Sequence, residues 1–380
     1  MERLTIGVVG TTRKPHERRR PLHPAHLDRI DEEVRAHLLL ERGYGEQFGE
    51  GDEEIARLVG GVVDRDELIR RADVVLLPKP VAADLAEMRD GQVLWGWPHL
   101  VQDPELTQLA IDKRLSVIAW EAMNHWTSKG SFSLHVFHLN NELAGYASVI
   151  HALQLRGVSG AYGKPLRAAV ISFGSTARGA VRALNAMGVH DVEVITQRDS
   201  SAVAAPFAGT VMEQFERLED DPRHTRVLRR AGRQDTEEFL AEHDVVVNCM
   251  LQDTDAPLVF AEDPRTFAPG TIVVDVSVDE GMGFAWARPT SFADPMFQVG
   301  DRVHYYGVDH TPSLYWESAT WTISEALLPY LDVVQRGPTA WADHVTVSRA
   351  VEIERGEVRN ERILAFQGRA ARYPHVVEGV

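Results

Sequence analysis

Cysteine is nearly missing from this chain of 380 residues: Cys249 stands alone, so no intrachain disulfide can form and nothing points to an oxidising compartment. Basic residues are in deficit. Against 56 Asp and Glu stand 40 Lys and Arg, a formal net charge of -16, which repels phosphate backbones and anionic membranes and argues against a nucleic-acid partner. No uninterrupted apolar run approaches the roughly 18 to 20 residues that span a bilayer. Residues 1–10 hold a charged dipeptide and a short strand-like run where a signal peptide would carry an apolar core. A soluble, cytoplasmic chain is the expectation. With no Cys/His cluster and no H-E-x-x-H, no metal site is expected either.

What is present is ordinary globular material: apolar residues make up 44% and charged residues 25%. The length exceeds one comfortable core and suggests two domains. Short β-branched runs at residues 5–9, 36–40, 73–77, 93–97 and 116–120 read as strands, with helical spacing or start signals at 24–33, 53–58 and 104–113 between them. That alternation is the pattern of a parallel sheet covered by crossover helices. Residues 140–155 read as one long helix, because Leu143, Ala147, Ile150 and Leu153 fall at three- and four-residue steps. The alternation then restarts with strands at 168–173, 193–196, 244–248 and 271–276 and a helix ending at 187. A helix at 318–333 and a hairpin within 345–367 complete the expectation, and the stretch 205–233 receives no assignment. The fold class is therefore α/β, with two doubly wound, Rossmann-like domains.

A phosphate-binding turn needs glycine where the chain leaves a strand, turns tightly and lets backbone N–H groups approach a pyrophosphate at a helix N-terminus. Val170-Ile171-Ser172-Phe173-Gly174-Ser175-Thr176-Ala177-Arg178-Gly179 supplies one, with Ser172 in place of the first glycine and Gly174 and Gly179 five apart. The candidate contacts are Gly174, Ser175, Thr176, Arg178 and Gly179. A plain strand-to-helix turn is the alternative, and the position after an apolar strand and before a helix favours the nucleotide. The second strand runs into Thr196-Gln197-Arg198, where an NAD enzyme usually places a carboxylate. A carboxylate would repel a 2′-phosphate, whereas Arg198 with Thr196 and Gln197 can bind one. The cofactor expected is NADP(H).

Three basic features follow strands in the first third: Glu17-Arg18-Arg19-Arg20-Pro21-Leu22-His23-Pro24, Lys79 in Leu77-Pro78-Lys79-Pro80, and His99 in Gly96-Trp97-Pro98-His99-Leu100. Strand ends are where open α/β sheets bind ligands. Singly each is as readily a solvated loop or a structural histidine; together they suggest a site.

The order of basic loop, strand-end lysine, strand-end histidine, long helix and glycine turn resembles the alanine dehydrogenase and lysine-forming saccharopine dehydrogenase superfamily. Glu17-Arg18-Arg19, Gly96-Trp97-Pro98-His99, Ala110-Ile111-Asp112-Lys113, Ile118-Ala119-Trp120-Glu121, Asn140-Asn141-Glu142-Leu143-Ala144-Gly145-Tyr146 and Val308-Asp309-His310-Thr311-Pro312-Ser313-Leu314 narrow the resemblance to the N5-(carboxyethyl)ornithine synthases. The resemblance implies a substrate domain from both chain ends (1–138 plus 311–380), a nucleotide domain from the middle (139–310) and a cleft between them. It implies that Arg19 holds a 2-oxo acid carboxylate, that Lys79 and His99 line the reacting centre, and that Asp279 borders the nicotinamide. Asn141, Met250, Leu251 and His310 would face cofactor or substrate, in a homo-oligomer.

The implied reaction joins a 2-oxo acid such as pyruvate to the side-chain amine of ornithine or lysine, using NADPH. Imine formation needs groups that deliver and remove protons near neutrality, which suits a histidine and a desolvated lysine. An alanine dehydrogenase, taking ammonia in place of the amino acid, would use the same groups. The two differ in pocket size, to which Trp95, Trp97, Trp120 and Trp126 are candidates to contribute, as they are to the core. A nucleotide-binding sensor without activity is the third reading, and the joint presence of Arg19, Lys79 and His99 argues against it.

Overall fold

A computed structural model describes residues 3–198, 209–253 and 256–377. Residues 1–2, and 205–208 within the unassigned stretch, lie outside those described. The chain forms two compact units, Met1–Phe137 with Trp316–Val380, and His138–Tyr315. The second unit takes in residues 311–315, because the Thr311 hydroxyl lies 2.9 Å from that of Ser148 and donates to the Ala144 carbonyl at 3.2 Å.

The first unit is built on six parallel strands: β1 (Ile6–Val8), β2 (Leu38–Glu41), β3 (Gly61–Val63), β4 (Val74–Leu76), β5 (Val93–Gly96) and β6 (Ser116–Ala119). They lie in the order β3-β2-β1-β4-β5-β6, and Val351–Glu354 and Glu357–Val358 from the chain's end extend the β6 edge antiparallel. The strand interiors are largely apolar because both faces are covered, with polar Glu41 and Ser116 only at the strand ends. Ile6, Leu38, Leu40, Leu76 and Ile118 pack into one core and Leu39, Val75, Leu94 and Val117 into the other.

The second unit repeats the design with β7 (Arg167–Ile171), β8 (Asp191–Thr196), β9 (Thr210–Arg217), β10 (Thr225–Arg229), β11 (Gly232–Asp235), β12 (Val245–Asn248), β13 (Thr271–Asp275), β14 (Met296–Val299) and β15 (Val303–Tyr306). Its sheet order is β11-β10-β9-β8-β7-β12-β13-β15-β14. The parallel members are β9-β8-β7-β12-β13-β15. In both units the order of the parallel strands reverses beside the first strand of the set, and that reversal is where doubly wound sheets open for a ligand.

Three expected elements differ. The helix expected at 24–33 is a 3-10 turn, Pro24–Arg29, ended by extended Ile30, followed by a short helix, Glu32–Arg35, whose last turn delays β2 to Leu38. The helix expected at 318–333 is Trp316–Leu327, a 3-10 turn Leu328–Tyr330 and Leu331–Gln335, broken where Pro329 has no N–H to continue the ladder. In 345–367 only Val351–Glu354 and Glu357–Val358 pair as a hairpin. Val345–Ala350 is helical and buries Val347 and Ala350, and Glu361–Gln367 is a helix capped by the Asn360 side chain and ended at left-handed Gly368.

Candidate active site

In the first unit every basic candidate stands beyond the carboxyl end of a strand. The loop carrying Arg19 follows β1 and Lys79 follows β4, so they flank the order reversal, and the Thr12 hydroxyl donates to the Lys79 carbonyl at 2.8 Å to tie the loops together. Arg19 is buried, with 3% of its surface exposed, which rules out a solvated loop residue. Its Nε donates to Glu17 Oε1 at 2.8 Å and one terminal nitrogen to Glu17 Oε2 at 2.5 Å, and its guanidinium lies over the Trp97 ring, 5.2 Å from the centroid. Bidentate capture through that edge therefore belongs to Glu17.

His99 follows β5 and takes a left-handed backbone, φ +50°. Its N–H donates to Glu121 Oε1 at 2.7 Å. The Glu121 carboxyl is held well above the ordinary carboxylate range, first by burial and then by repulsion from Glu352, while the charge of Lys79 acts in the opposite sense. Burial raises Glu352 as well, against an Asn360 amide that donates to its Oε1 at 2.8 Å. Trp95 and Trp120 are fully buried: Trp95 Nε1 donates to Met123 Sδ at 3.3 Å and Trp120 stacks on Phe137 at 4.8 Å. Those two are core, so of the four tryptophans Trp97 is the one set beneath a candidate ligand-binding group.

In the second unit, Ser172 adopts φ +81°, the conformation glycine would give the turn, and its N–H donates to the Ile195 carbonyl at 2.7 Å. Gly174 is the N-cap of helix Ser175–Ala186, with no side chain capping the helix, and a Cβ there would meet no protein atom within 4 Å. Open space before uncapped N–H groups, at a sheet reversal, fits a dinucleotide pyrophosphate. Ser175 and Thr176 begin the helix. Arg178 lies over the Phe173 ring, 4.4 Å from the centroid. Gly179 serves packing: a Cβ would lie 1.7 Å from the Glu142 carbonyl oxygen of the long helix His138–Arg156. Asn141 sits in the first turn of that helix.

Thr196 ends β8 buried, and its hydroxyl accepts from the Arg198 N–H at 3.3 Å, while Gln197 and Arg198 are exposed. Opposite Thr196 on β9 stands Gln214, an amide, whose Nε2 donates to the Gln197 carbonyl at 3.2 Å. Met250 and exposed Leu251 follow β12, and Asp279 follows β13, its carboxyl pushed up to about 6 by burial. The Ser277 hydroxyl donates to the Met250 carbonyl at 2.6 Å and so joins those two loops. His310, φ +47°, follows β15, its ring edge-on to Phe292 at 5.1 Å and 3.5 Å from Asp309 Oδ2.

Glu17, Glu121 and Glu352 stand behind the candidate residues, a part that the sequence alone does not assign to them. Glu17 had a signal, a carboxylate two residues from a buried arginine. Glu352 had none, since only the sheet brings it to β6.

Two family models match this chain: the alanine dehydrogenase/PNT N-terminal domain over residues 8–142 and its C-terminal domain over residues 151–361. The chain belongs to the alanine dehydrogenase/PNT family, oxidoreductases whose superfamily members bind nicotinamide nucleotides. Alanine dehydrogenase of Mycobacterium tuberculosis is 26% identical over 387 residues, covering 96% of this chain and 97% of that protein. N(5)-(carboxyethyl)ornithine synthase of Clostridium botulinum is 23% identical over 344 residues, covering 84% and 94%. A solved L-alanine dehydrogenase shares the fold with a TM-score of 0.74 at 19% identity, over 96% of this chain and 99% of that one. Among the described residues no helix is long and apolar enough to cross a membrane.

Proposed function

We propose that this chain catalyses the NADPH-dependent reductive condensation of a 2-oxo acid, pyruvate or a close analogue, with the side-chain amine of ornithine or lysine. The observation that carries the reading is the buried Arg19, fixed by Glu17 over Trp97 beyond the strand ends that also present Lys79 and His99. A buried, oriented guanidinium suits the carboxylate of the oxo acid. Lys79 and His99 move the protons of imine formation, to the departing carbonyl oxygen and from the nitrogen. The cofactor, when bound, supplies the hydride that reduces the imine carbon.

Gly174, Ser175, Thr176 and Arg178 hold the pyrophosphate, and Thr196, Gln197 and Arg198 the 2′-phosphate of NADPH. Asn141, Met250, Leu251 and Asp279 border the nicotinamide, with His310 on the substrate. The reading carries with it a cytoplasmic homo-oligomer. Relatives bearing the synthase name, matched over most of their length, support the amino-acid amine. Relatives named alanine dehydrogenase match at higher identity and support ammonia as the second reading.

Initial rates of NADPH oxidation with pyruvate separate the two. The proposal predicts a higher kcat/KM for ornithine or lysine than for ammonia; ammonia exceeding every amino acid assigns alanine dehydrogenase instead.

A further inference from the structure

Asp275 is the last residue of β13, stands opposite Asn248 at the end of β12 and is fully buried. Its Oδ1 accepts three bonds: from the N–H of Ser277 and of Val278, each at 3.1 Å, and from Asn248 Nδ2 at 3.0 Å. Its Oδ2 accepts the Tyr305 hydroxyl at 2.9 Å. Asn248 passes the connection on, its Oδ1 accepting the Met250 N–H at 3.1 Å, and the Ser277 hydroxyl closes the ring on the Met250 carbonyl at 2.6 Å. One carboxylate thus fastens both loops that leave these neighbouring strands.

The fastening opposes a cost. Val278 has φ +55°, a left-handed backbone that a β-branched residue adopts only when its surroundings impose it. Val278 is followed by Asp279, so the φ imposed at Val278 sets where the Asp279 backbone begins. The network also tolerates no bulk: a Cβ on Gly283 would lie 2.7 Å from Asn248 Nδ2.

We propose that Asp275 is a positioning residue, which through Asn248, Ser277 and Tyr305 locks the Met250–Leu251 and Val278–Asp279 segments into the one arrangement in which they present the nicotinamide for hydride transfer. The proposal rests on the reading of Asp279, Met250 and Leu251 as nicotinamide-side residues.

Asp275→Asn keeps the side-chain volume and removes the charge that accepts two backbone N–H groups. In the intact protein, hydrogen exchange at Ser277 and Val278 should rise by tenfold or more, as expected for the loss of charge-assisted bonds, with no change in helix Ser175–Ala186. Turnover should fall by about tenfold with NADPH affinity held within a few-fold, a kcat loss without a matching binding loss. In a Val278→Gly background, where the left-handed turn costs nothing, Asp275→Asn should cost less. Tyr305→Phe, which leaves the carboxylate in place, gives a smaller effect of the same kind should Asp275→Asn fold poorly.

Unchanged exchange at Ser277 and Val278 overturns the clamp. Faster exchange with unchanged kcat, or Asp275→Asn and Val278→Gly effects that simply add, overturns its role in positioning. Wild-type protein that turns over no pairing of oxo acid and amine defeats the proposed function instead, and the exchange rates still decide the clamp.

Discussion

His99, Ser172, Val278 and His310 are non-glycine residues in the left-handed region, and each is a candidate site residue or the neighbour of one. Such backbones cost of order 1 to 3 kcal/mol and persist where surrounding structure imposes them, which is commonest at functional sites. Ser172 gives the simplest test. Ser172→Gly removes the strain, so the urea midpoint should rise by the equivalent of up to about 1 kcal/mol; a lower midpoint would show that the serine side chain supports the turn. Lys79→Ala and His99→Ala should fold normally and lose about a hundredfold or more in turnover, the usual contribution of a placed proton-transfer group. Circular dichroism separates that result from unfolding, and near-normal turnover in folded variants removes the two from the mechanism. Arg198→Ala should weaken NADPH by roughly tenfold and leave NADH alone, because only NADPH offers a phosphate to the guanidinium; equal losses for both would end the assignment. The placement of Lys79 and His99 after strands was legible because each directly follows an apolar run, and that of Arg19 because its loop follows the first such run. Asp275 was not, because a carboxylate at the end of a strand carries its meaning only once Asn248 and Tyr305 are beside it.

Among the elements, the contact of helix His138–Arg156 with helix Ser175–Ala186 depends on two glycines. A Cβ on Gly145 would lie 1.9 Å from the Thr176 carbonyl oxygen, and one on Gly179 would lie 1.7 Å from that of Glu142. Backbone cannot yield as a flexible side chain does, so Gly179→Ala should destabilise the protein by at least the 1 to 3 kcal/mol typical of overpacking. Thermal unfolding measures it, and an unchanged midpoint would mean that the helices separate freely. Periodicity found the long helix and the apolar strands, since strands covered on both faces read as continuous apolar runs. It failed on β9, β10 and β11, whose alternation is diluted by charges that pair across the sheet edge, as Arg226 does with Glu216 and Arg229 with Glu193. It also ran past Pro329, where a missing N–H outweighs helical spacing.

Over the whole chain, both units carry the same six-strand parallel order, and the first unit borrows Val351–Glu354 from the chain's end to finish its β6 edge. That borrowing sets Glu352 near Glu121 and raises both carboxyls above their ordinary range by burial. The folded protein then holds more protons than the unfolded chain over that interval, so stability is full below the ordinary carboxylate pKa of about 4.3 and declines as pH rises above it. Glu352→Gln should flatten the decline in urea midpoint between pH 5 and pH 8; an unaltered slope would show that the pair is not its source. No composition or spacing signal joined Glu121 to Glu352, because their proximity is a property of sheet order alone.

The bond formed distinguishes the proposed condensation from alanine synthesis. Incubated with NADPH, pyruvate and equal concentrations of ornithine and ammonia, the protein should yield a secondary amine heavier than ornithine by one carboxyethyl group, read directly by mass spectrometry. Alanine as the dominant product would make the protein an alanine dehydrogenase.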